Sequence, residues 1–364
     1  VQAPSKLTLK EERTAIPAPI VRGVLEALFI AKGCSIGEAR EVADHLIETD
    51  LSGIESHGVM RALQYAEQFD TGYLRANASP RIVSGAKGIE WADGDGGIGI
   101  PALRLAVDHA CDRALAEGVC VLPVRNIGHT GRLGAFAERA ARRNCFLMIV
   151  GGGGRQNWRQ VAPYGGRKAI LPTNPYCFGM PGGANGPVVV DFATSALAGG
   201  WIYAARTAGA MLPEGVLIDR DGHVSRDPQA YFDGGAILPK GGAMGYGLAV
   251  IAEMLCEAML GPVTTEVNWL IIAIDTTRHR DPHIMQTVAE DILGELRDCP
   301  PAPGFARVQV PGERERDERQ RNADDILALP ASTWEALQRL ASTLGIRLPT
   351  EAMPAGTVRE SVFT

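Results

Sequence analysis

From residue 82 onward the chain alternates short apolar runs with stretches of helical spacing, and this alternation confines it to an α/β fold. Runs at Ile82-Val83, 88–92, 119–124 and 146–150 have strand length, whereas 101–117 and 130–143 carry apolar residues at helical intervals. A strand is expected at 187–190 in a glycine-rich stretch, an apolar segment covers 245–260, and 268–274 reads as a buried strand. Upstream, 17–32 and 36–49 read as helices. Gly33 ends the first, and Ser35 with Glu38 makes a capping box for the second. Asp50-Leu51-Ser52-Gly53 is a turn, and Ser56 is expected to cap a third helix running to Phe69. Downstream, a mixed-charge run at 313–319 precedes a polar loop and a helix at 332–343, and Pro300-Pro301-Ala302-Pro303-Gly304 is the clearest linker-like segment.

Composition removes several classes of function. With 364 residues, 46% hydrophobic and 21% charged, the chain has material for a substantial core and is not disordered overall. A net charge of −6 argues against nucleic acid as the main partner, which needs a basic face. No run reaches the roughly 18 apolar residues of a membrane span, and Val1-Gln2-Ala3-Pro4-Ser5 carries no signal-peptide core. Seven scattered cysteines without a C-x-x-C pair suit reduced thiols in a cytoplasmic protein rather than a disulfide scaffold or zinc ribbon.

Several motifs carry candidate chemistry. Gly94-Asp95-Gly96-Gly97-Ile98-Gly99 fits the dinucleotide fingerprint G-x-G-x-x-G between a strand and a helix, although four glycines in six residues serve an ordinary turn equally well. Within Glu55-Ser56-His57-Gly58-Val59-Met60-Arg61, a Ser56 cap places His57 and Arg61 four residues apart on one helix face. Arginine can clamp a carboxylate through two parallel hydrogen bonds, and histidine exchanges a proton near neutrality. A 2-oxo or 2-hydroxy acid needs that pair; the alternative is a solvated helix start with an incidental histidine. Asn126-Ile127-Gly128-His129-Thr130-Gly131-Arg132 sits where a strand ends and a helix begins, the preferred place for ligands in α/β proteins, and Arg132 could meet a phosphate. Gly151-Gly152-Gly153-Gly154 and Leu171-Pro172-Thr173-Asn174-Pro175 suit a flat ligand against main chain, or a flexible connection. Asp191 ends a buried strand, where a carboxylate is costly unless paired, so a histidine partner is expected. The spacing of His57, His129 and Asp191 is not that of a metal site, and no G-x-S-x-G elbow supports Ser56 as a nucleophile.

The ordered set Asp50-Leu51-Ser52-Gly53-Ile54-Glu55-Ser56-His57-Gly58-Val59-Met60-Arg61, Gly128-His129-Thr130-Gly131, Pro163-Tyr164-Gly165-Gly166, Thr173-Asn174-Pro175, Asp191-Phe192-Ala193-Thr194-Ser195, Gly245-Tyr246-Gly247-Leu248 and Pro311-Gly312-Glu313 resembles one family. That family is the second type of malate/L-lactate dehydrogenase. It comprises NAD- or NADP-dependent oxidoreductases distinct from the Rossmann lactate dehydrogenases, and includes ureidoglycolate and sulfolactate dehydrogenases and piperideine-2-carboxylate reductase. The resemblance spans about residues 17–345. It implies a non-Rossmann nicotinamide-binding α/β domain with a mixed sheet (82–300) and a helical domain built from both chain ends (1–81 and 301–364), in a homodimer. It further implies that His57 moves the proton with support from Ser56 and Asp191, with His129 as the rival carrier, while Arg61 and Thr173 bind the substrate. His129, Thr130, Gly131, Arg132 and Leu133, with Pro181, Gly182 and Gly183, are implied to line the cofactor, and Gly312 and Glu313 to close over it.

Two departures stand out. Met244 replaces a lysine usual before Gly-Tyr-Gly, with Lys240 the nearest substitute, and Pro172 replaces the usual glycine before Thr-Asn-Pro. The expected activity is hydride transfer at C2 of a small 2-oxo or 2-hydroxy acid, or alternatively of a cyclic imino acid. A hydrolase or lyase using Ser56, His57 and Asp191 is the rival among enzymes, and a silent cofactor-binding protein is the rival outside them.

Overall fold

The computed structural model describes residues 7–348 and 357–363; the opening Val1 to Ser5 lies outside them. The main sheet orders its strands Arg81–Ser84, Glu90–Asp93, Val119–Arg125, Asn268–Asp275, Cys145–Gly152, Pro175–Met180 and Val188–Ala193. Only the Glu90–Asp93 and Val119–Arg125 pair is parallel; every other neighbour runs antiparallel, so the sheet is mixed. Asn268–Asp275 sits inside this sheet with most of its side chains buried, which explains its unbroken apolar run. The helix Gly99–Glu117 packs on the sheet through Leu103, Ala106, Val107, Ala110 and Ala114, at helical spacing. The helix Leu133–Ala141 lies so close to Pro175–Met180 that a Cβ on Gly179 would sit 2.7 Å from the Ala137 carbonyl.

The two ends of the chain meet. Leu7–Pro17 pairs antiparallel with Ile326–Pro330 on one side and Thr357–Phe363 on the other. These strands leave little trace in the sequence, because the charges from Lys10 to Arg13 mask any alternation and the partners come from the opposite end. The helices Ala18–Ala31, Ile36–Leu51 and Ala331–Thr343 surround this ribbon, and one continuous buried cluster runs from Ile16 to Ala341, joining them to the main sheet. A second cluster around Val161, Ile202, Leu217 and Ile237 gathers under a small sheet of Leu217–Ile218, Val224–Ser225 and Ala236–Ile237. Among the described residues no helix is long and apolar enough to cross a membrane.

Two glycine-rich segments do structural work. A Cβ on Gly94 would collide with Ile127, on Gly97 with Ala78, and on Gly99 with the Gly128 carbonyl. The amides of Gly94, Gly96 and Gly99 donate to the carbonyls of Arg125, Asn126 and His129 at 3.0, 2.8 and 3.0 Å. The fingerprint is thus a turn zipped to the 125–129 loop, with these three amides already bonded. It fixes the backbone on which His129 stands. In the 151–154 run, Gly151 makes room for Trp269 and Gly152 for the Ala252 carbonyl, so these glycines are packed rather than open.

Candidate active site

The segment carrying His57 is pinned at both ends. Arg13 donates to Glu55 at 2.7 Å, and the Asp50 carboxylate accepts the Val59 amide at 2.5 Å while packing where a Cβ of Gly58 would lie. Glu55–His57 therefore forms a short 3-10 turn, and the third helix begins only at Arg61 (Arg61–Asp70). Ser56 is not its cap. Instead its Oγ lies 2.8 Å from His57 Nδ1, and its carbonyl accepts Arg61 Nε at 2.6 Å. Arg61 also donates from Nη1 to Gln64 Oε1 at 2.6 Å. Nη2, which points toward Gly200, has no protein acceptor among the described residues.

His129 arrives from the 125–129 loop and stacks on His57, with ring centroids 5.3 Å apart and planes 27° from parallel. Its Nδ1 faces Tyr65 Oη at 2.6 Å and the Gly131 amide at 3.3 Å. An amide can only donate, so Nδ1 accepts, and the ring proton of neutral His129 is assigned to Nε2. Burial, reinforced by the positive charge of Arg61 and by neighbouring histidines, pushes His57 down to about 3 and His129 well below its ordinary value. His45 behaves likewise: burial, then Arg132, pushes it down to about 3. Two neutral imidazoles, His57 and His129, thus stand beside a guanidinium with an open corner, and a third, His45, lies against the Arg132 amide.

Other expected residues lie elsewhere. Asp191 accepts the Gly134 amide at 2.8 Å, and burial pushes it up to about 6 while that amide and Arg132 oppose the rise. Its partners are the first turn of Leu133–Ala141 and a guanidinium, not the histidine expected from the sequence. Thr173 turns its carbonyl to Thr194, accepting the amide at 3.0 Å and Oγ1 at 2.9 Å; among the described residues no hydrogen bond joins it to Arg61. Thr130, Arg132 and Leu133 are buried, and Gly131 (φ +67°) leaves its Cβ space to the His45 ring. The Arg132 amide donates to His45 Nε2 at 3.1 Å, which delays the helix expected from residue 130 until Leu133.

Pro181, Gly182 and Gly183 form a turn into which Glu290 inserts from the helix Pro282–Asp298. Its Oε2 accepts the Ala184 amide at 2.8 Å and fills the space of a Gly183 side chain. Arg297 joins Glu290 at 2.9 Å to Glu313 at 2.6 Å, and Arg316, packed on Gly312, donates to the Pro187 carbonyl at 2.7 Å. The structure therefore brings 181–183 and 312–313 together, Glu313 through Glu290 and Arg297, and Gly312 through Arg316, three charged side chains not expected there. Among the described residues no group of three or more His, Cys, Asp or Glu is placed to hold a metal ion.

Tyr65, His45, Glu266 and Glu290 escape the sequence reading. Tyr65 had a signal, since it follows Arg61 by four residues on the same helix face. The others come from distant segments and had none.

The chain matches the family model described as malate/L-lactate dehydrogenase over residues 16–338. It is 34% identical to an L-lactate dehydrogenase of Cupriavidus necator, covering 86% of this chain and 93% of that protein. It is 32% identical to a Delta(1)-pyrroline-2-carboxylate/Delta(1)-piperideine-2-carboxylate reductase of Pseudomonas putida, over 95% of this chain and all (100%) of that one. Among solved structures it resembles a sulfolactate dehydrogenase from Methanocaldococcus jannaschii (TM-score 0.80, 26% identity, 92% and 98% of the two chains). It also resembles a delta1-piperideine-2-carboxylate reductase from Pseudomonas syringae (TM-score 0.77, 28% identity, 90% and 99%). The sequence order, the mixed sheet and these matches agree: the chain belongs to the malate/L-lactate dehydrogenase family, oxidoreductases acting on hydroxy or oxo acids or on imino acids.

Proposed function

We propose that this protein transfers a hydride between a nicotinamide cofactor, NAD or NADP, and C2 of a small acid: a 2-oxo/2-hydroxy acid, or a cyclic imino acid and its amine. The observation that carries the reading is the open Nη2 of Arg61 beside the His57–His129 stack. A half-buried guanidinium without an acceptor at one corner is a carboxylate site, and the paired imidazoles sit where C2 and its substituent would fall.

A phosphate-bearing cofactor fits the 181–186 turn where its oxygen takes the place that Glu290 now holds on the Ala184 amide, with the Glu290 carboxylate withdrawn. Pro181, Gly182 and Gly183, with Gly312 and Glu313 opposite, would hold it, with Arg297 and Arg316 supplying positive charge. When bound, the cofactor supplies or takes the hydride. Arg61 orients the acid by its carboxylate. His57, steadied by Ser56, is neutral and ready to accept the hydroxyl proton in the oxidative direction. In reduction, a carboxylate bound to Arg61 cancels the positive charge that helps keep His57 deprotonated, so substrate binding raises its proton affinity. Tyr65 and the Gly131 amide hold His129 as the Nε2–H tautomer, a hydrogen-bond donor toward the same space.

The homodimer belongs to this proposal. The helix Ala243–Glu253 and its continuation to Met259 leave Met244, Ile251, Met254 and Met259 more than half exposed, at 69%, 54%, 58% and 57%, an apolar face suited to a second copy. All seven cysteines are free, which suits the reducing cytoplasm. The test is a panel of 2-oxo acids and cyclic imino acids with NADH and with NADPH, followed at 340 nm, with light scattering for the oligomer. Cofactor binding without turnover of any acid would leave a silent binding protein and defeat the reading.

A further inference from the structure

The helix Arg61–Asp70 presents Arg61, Tyr65 and Gln68 on one face, and a fourth polar side chain closes on that face from a distant segment. Glu266 precedes the strand Asn268–Asp275. Its neighbours tie it to the loop bearing His129: Thr265 Oγ1 donates to the Ile127 carbonyl at 2.5 Å, and Thr264 Oγ1 to Asn126 Oδ1 at 3.2 Å. Against the burial that raises it, Arg61 and Gln68 lower the pKa of the Glu266 carboxyl, and Glu266 in turn adds to the burial that raises those of Tyr65 and Tyr73, so these groups share one electrostatic neighbourhood. Yet Arg61 bonds Ser56 and Gln64 instead, and no ion pair joins it to Glu266. Gln68 Oε1 is buried without a partner beside it. Burial pushes Glu266 up to about 7 while Arg61 opposes the rise, so the carboxyl lies beside a cation it does not touch, and a second cationic group would favour its ionised form.

We propose that Glu266 determines substrate class: it receives a cationic nitrogen on the same acid whose carboxylate Arg61 binds, selecting a protonated cyclic imine, or the matching cyclic amine, over a 2-oxo acid. The inference rests on the Arg61 role given above. A zwitterion satisfies both charges at once, whereas a 2-oxo acid leaves Glu266 facing a carbonyl oxygen. The chemistry is consistent with the neutral histidines. Hydride from the reduced nicotinamide forms the C2–H bond, and the C=N electron pair moves onto a nitrogen that already carries its proton. The product amine then takes one further proton from water, so the reduction asks no acid of His57 or His129.

The test compares the full-length protein with E266Q on a five- or six-membered cyclic imino acid and on a 2-oxo acid of similar size, with reduced cofactor. E266Q should lower kcat/KM for the imine about tenfold to a hundredfold, mainly through KM, the scale of one charge-assisted hydrogen bond. For the 2-oxo acid it should leave kcat/KM unchanged or improve it. A ratio between the two substrates that is the same in both proteins overturns the inference and leaves the proposed function intact; Glu266 is then only a counterion to Arg61. Failure of the unmodified protein to turn over either acid defeats the proposed function, and the inference with it. Should E266Q not fold, inhibition of the unmodified protein decides: a cyclic amino acid must compete at lower concentration than a 2-hydroxy acid of equal size, and the reverse order overturns the inference.

Discussion

His45 offers the sharpest check on the claim that the site excludes protons. Its ring stacks on Phe136 at 5.3 Å, its Nε2 accepts the Arg132 amide at 3.1 Å, and its pKa falls from 6.5 to about 3. A lowered histidine pKa stabilises the fold above the unfolded value, and that stability drains away as the pH falls from 6.5 toward 3. At pH 5 the unfolded chain is protonated at this site and the native one is not, which costs RT ln(1 + 10^1.5), about 2 kcal/mol; at pH 7.5 the same expression is close to zero. His45→Gln keeps an acceptor for Arg132 but cannot titrate. At pH 7.5 the variant should be less stable by about 1 kcal/mol, from the lost ring stack. By pH 5 that deficit should vanish or reverse, because only the unmodified protein bears the proton cost. Urea unfolding of both proteins at pH 7.5, 6 and 5, by tryptophan fluorescence and circular dichroism, measures the gap. Groups that titrate in both proteins, Asp191 and Glu266 among them, cancel in the difference. A gap constant to within about 0.5 kcal/mol across this range would refute the reasoning.

Four further outcomes are expected. Arg61→Gln should raise KM for the acid about tenfold to a hundredfold, as loss of a charged hydrogen bond does, and shift the His57 limb of the pH–rate profile upward. His57→Gln should lower kcat for oxidation of a 2-hydroxy acid about 10²- to 10⁴-fold with cofactor binding unchanged by NADH fluorescence, and spare reduction of a protonated cyclic imine; a smaller loss on the hydroxy acid moves the proton to His129. Tyr65→Phe should lower kcat about five- to thirtyfold with little change in melting temperature, because the buried ring remains and only the bond to His129 Nδ1 is lost. Gly131→Ala should destabilise by about 2 kcal/mol or more in thermal unfolding, since φ is +67° and the added methyl would strike His45.

Much of the architecture was legible because it rests on local pattern. Within Asn268–Asp275 the six residues 269–274 are apolar without interruption, and the structure buries most of them inside the main sheet. The Ser35 cap accepts the Glu38 amide at 3.2 Å as its spacing foretold. The terminal ribbon was not legible, since Leu7–Pro17 becomes a strand only through partners at the far end of the chain.

For the site, the sequence supplied the chemical inventory: Ser56, His57, Arg61 and His129 were singled out as residues whose chemistry suits a small acid. Tertiary structure decided how they meet. His57 and Arg61 do not share a helix turn; an ion pair at Glu55 and a carboxylate at Asp50 bend the chain between them. Asp191 serves an amide, and beside Arg61 the charges that set the field come from Arg132 and Glu266, on separate segments. Spacing along a chain reports which side chains share a face over a turn or two. The electrostatics of a buried site sum over every segment that folds around it, and that sum exists only once the segments are in place.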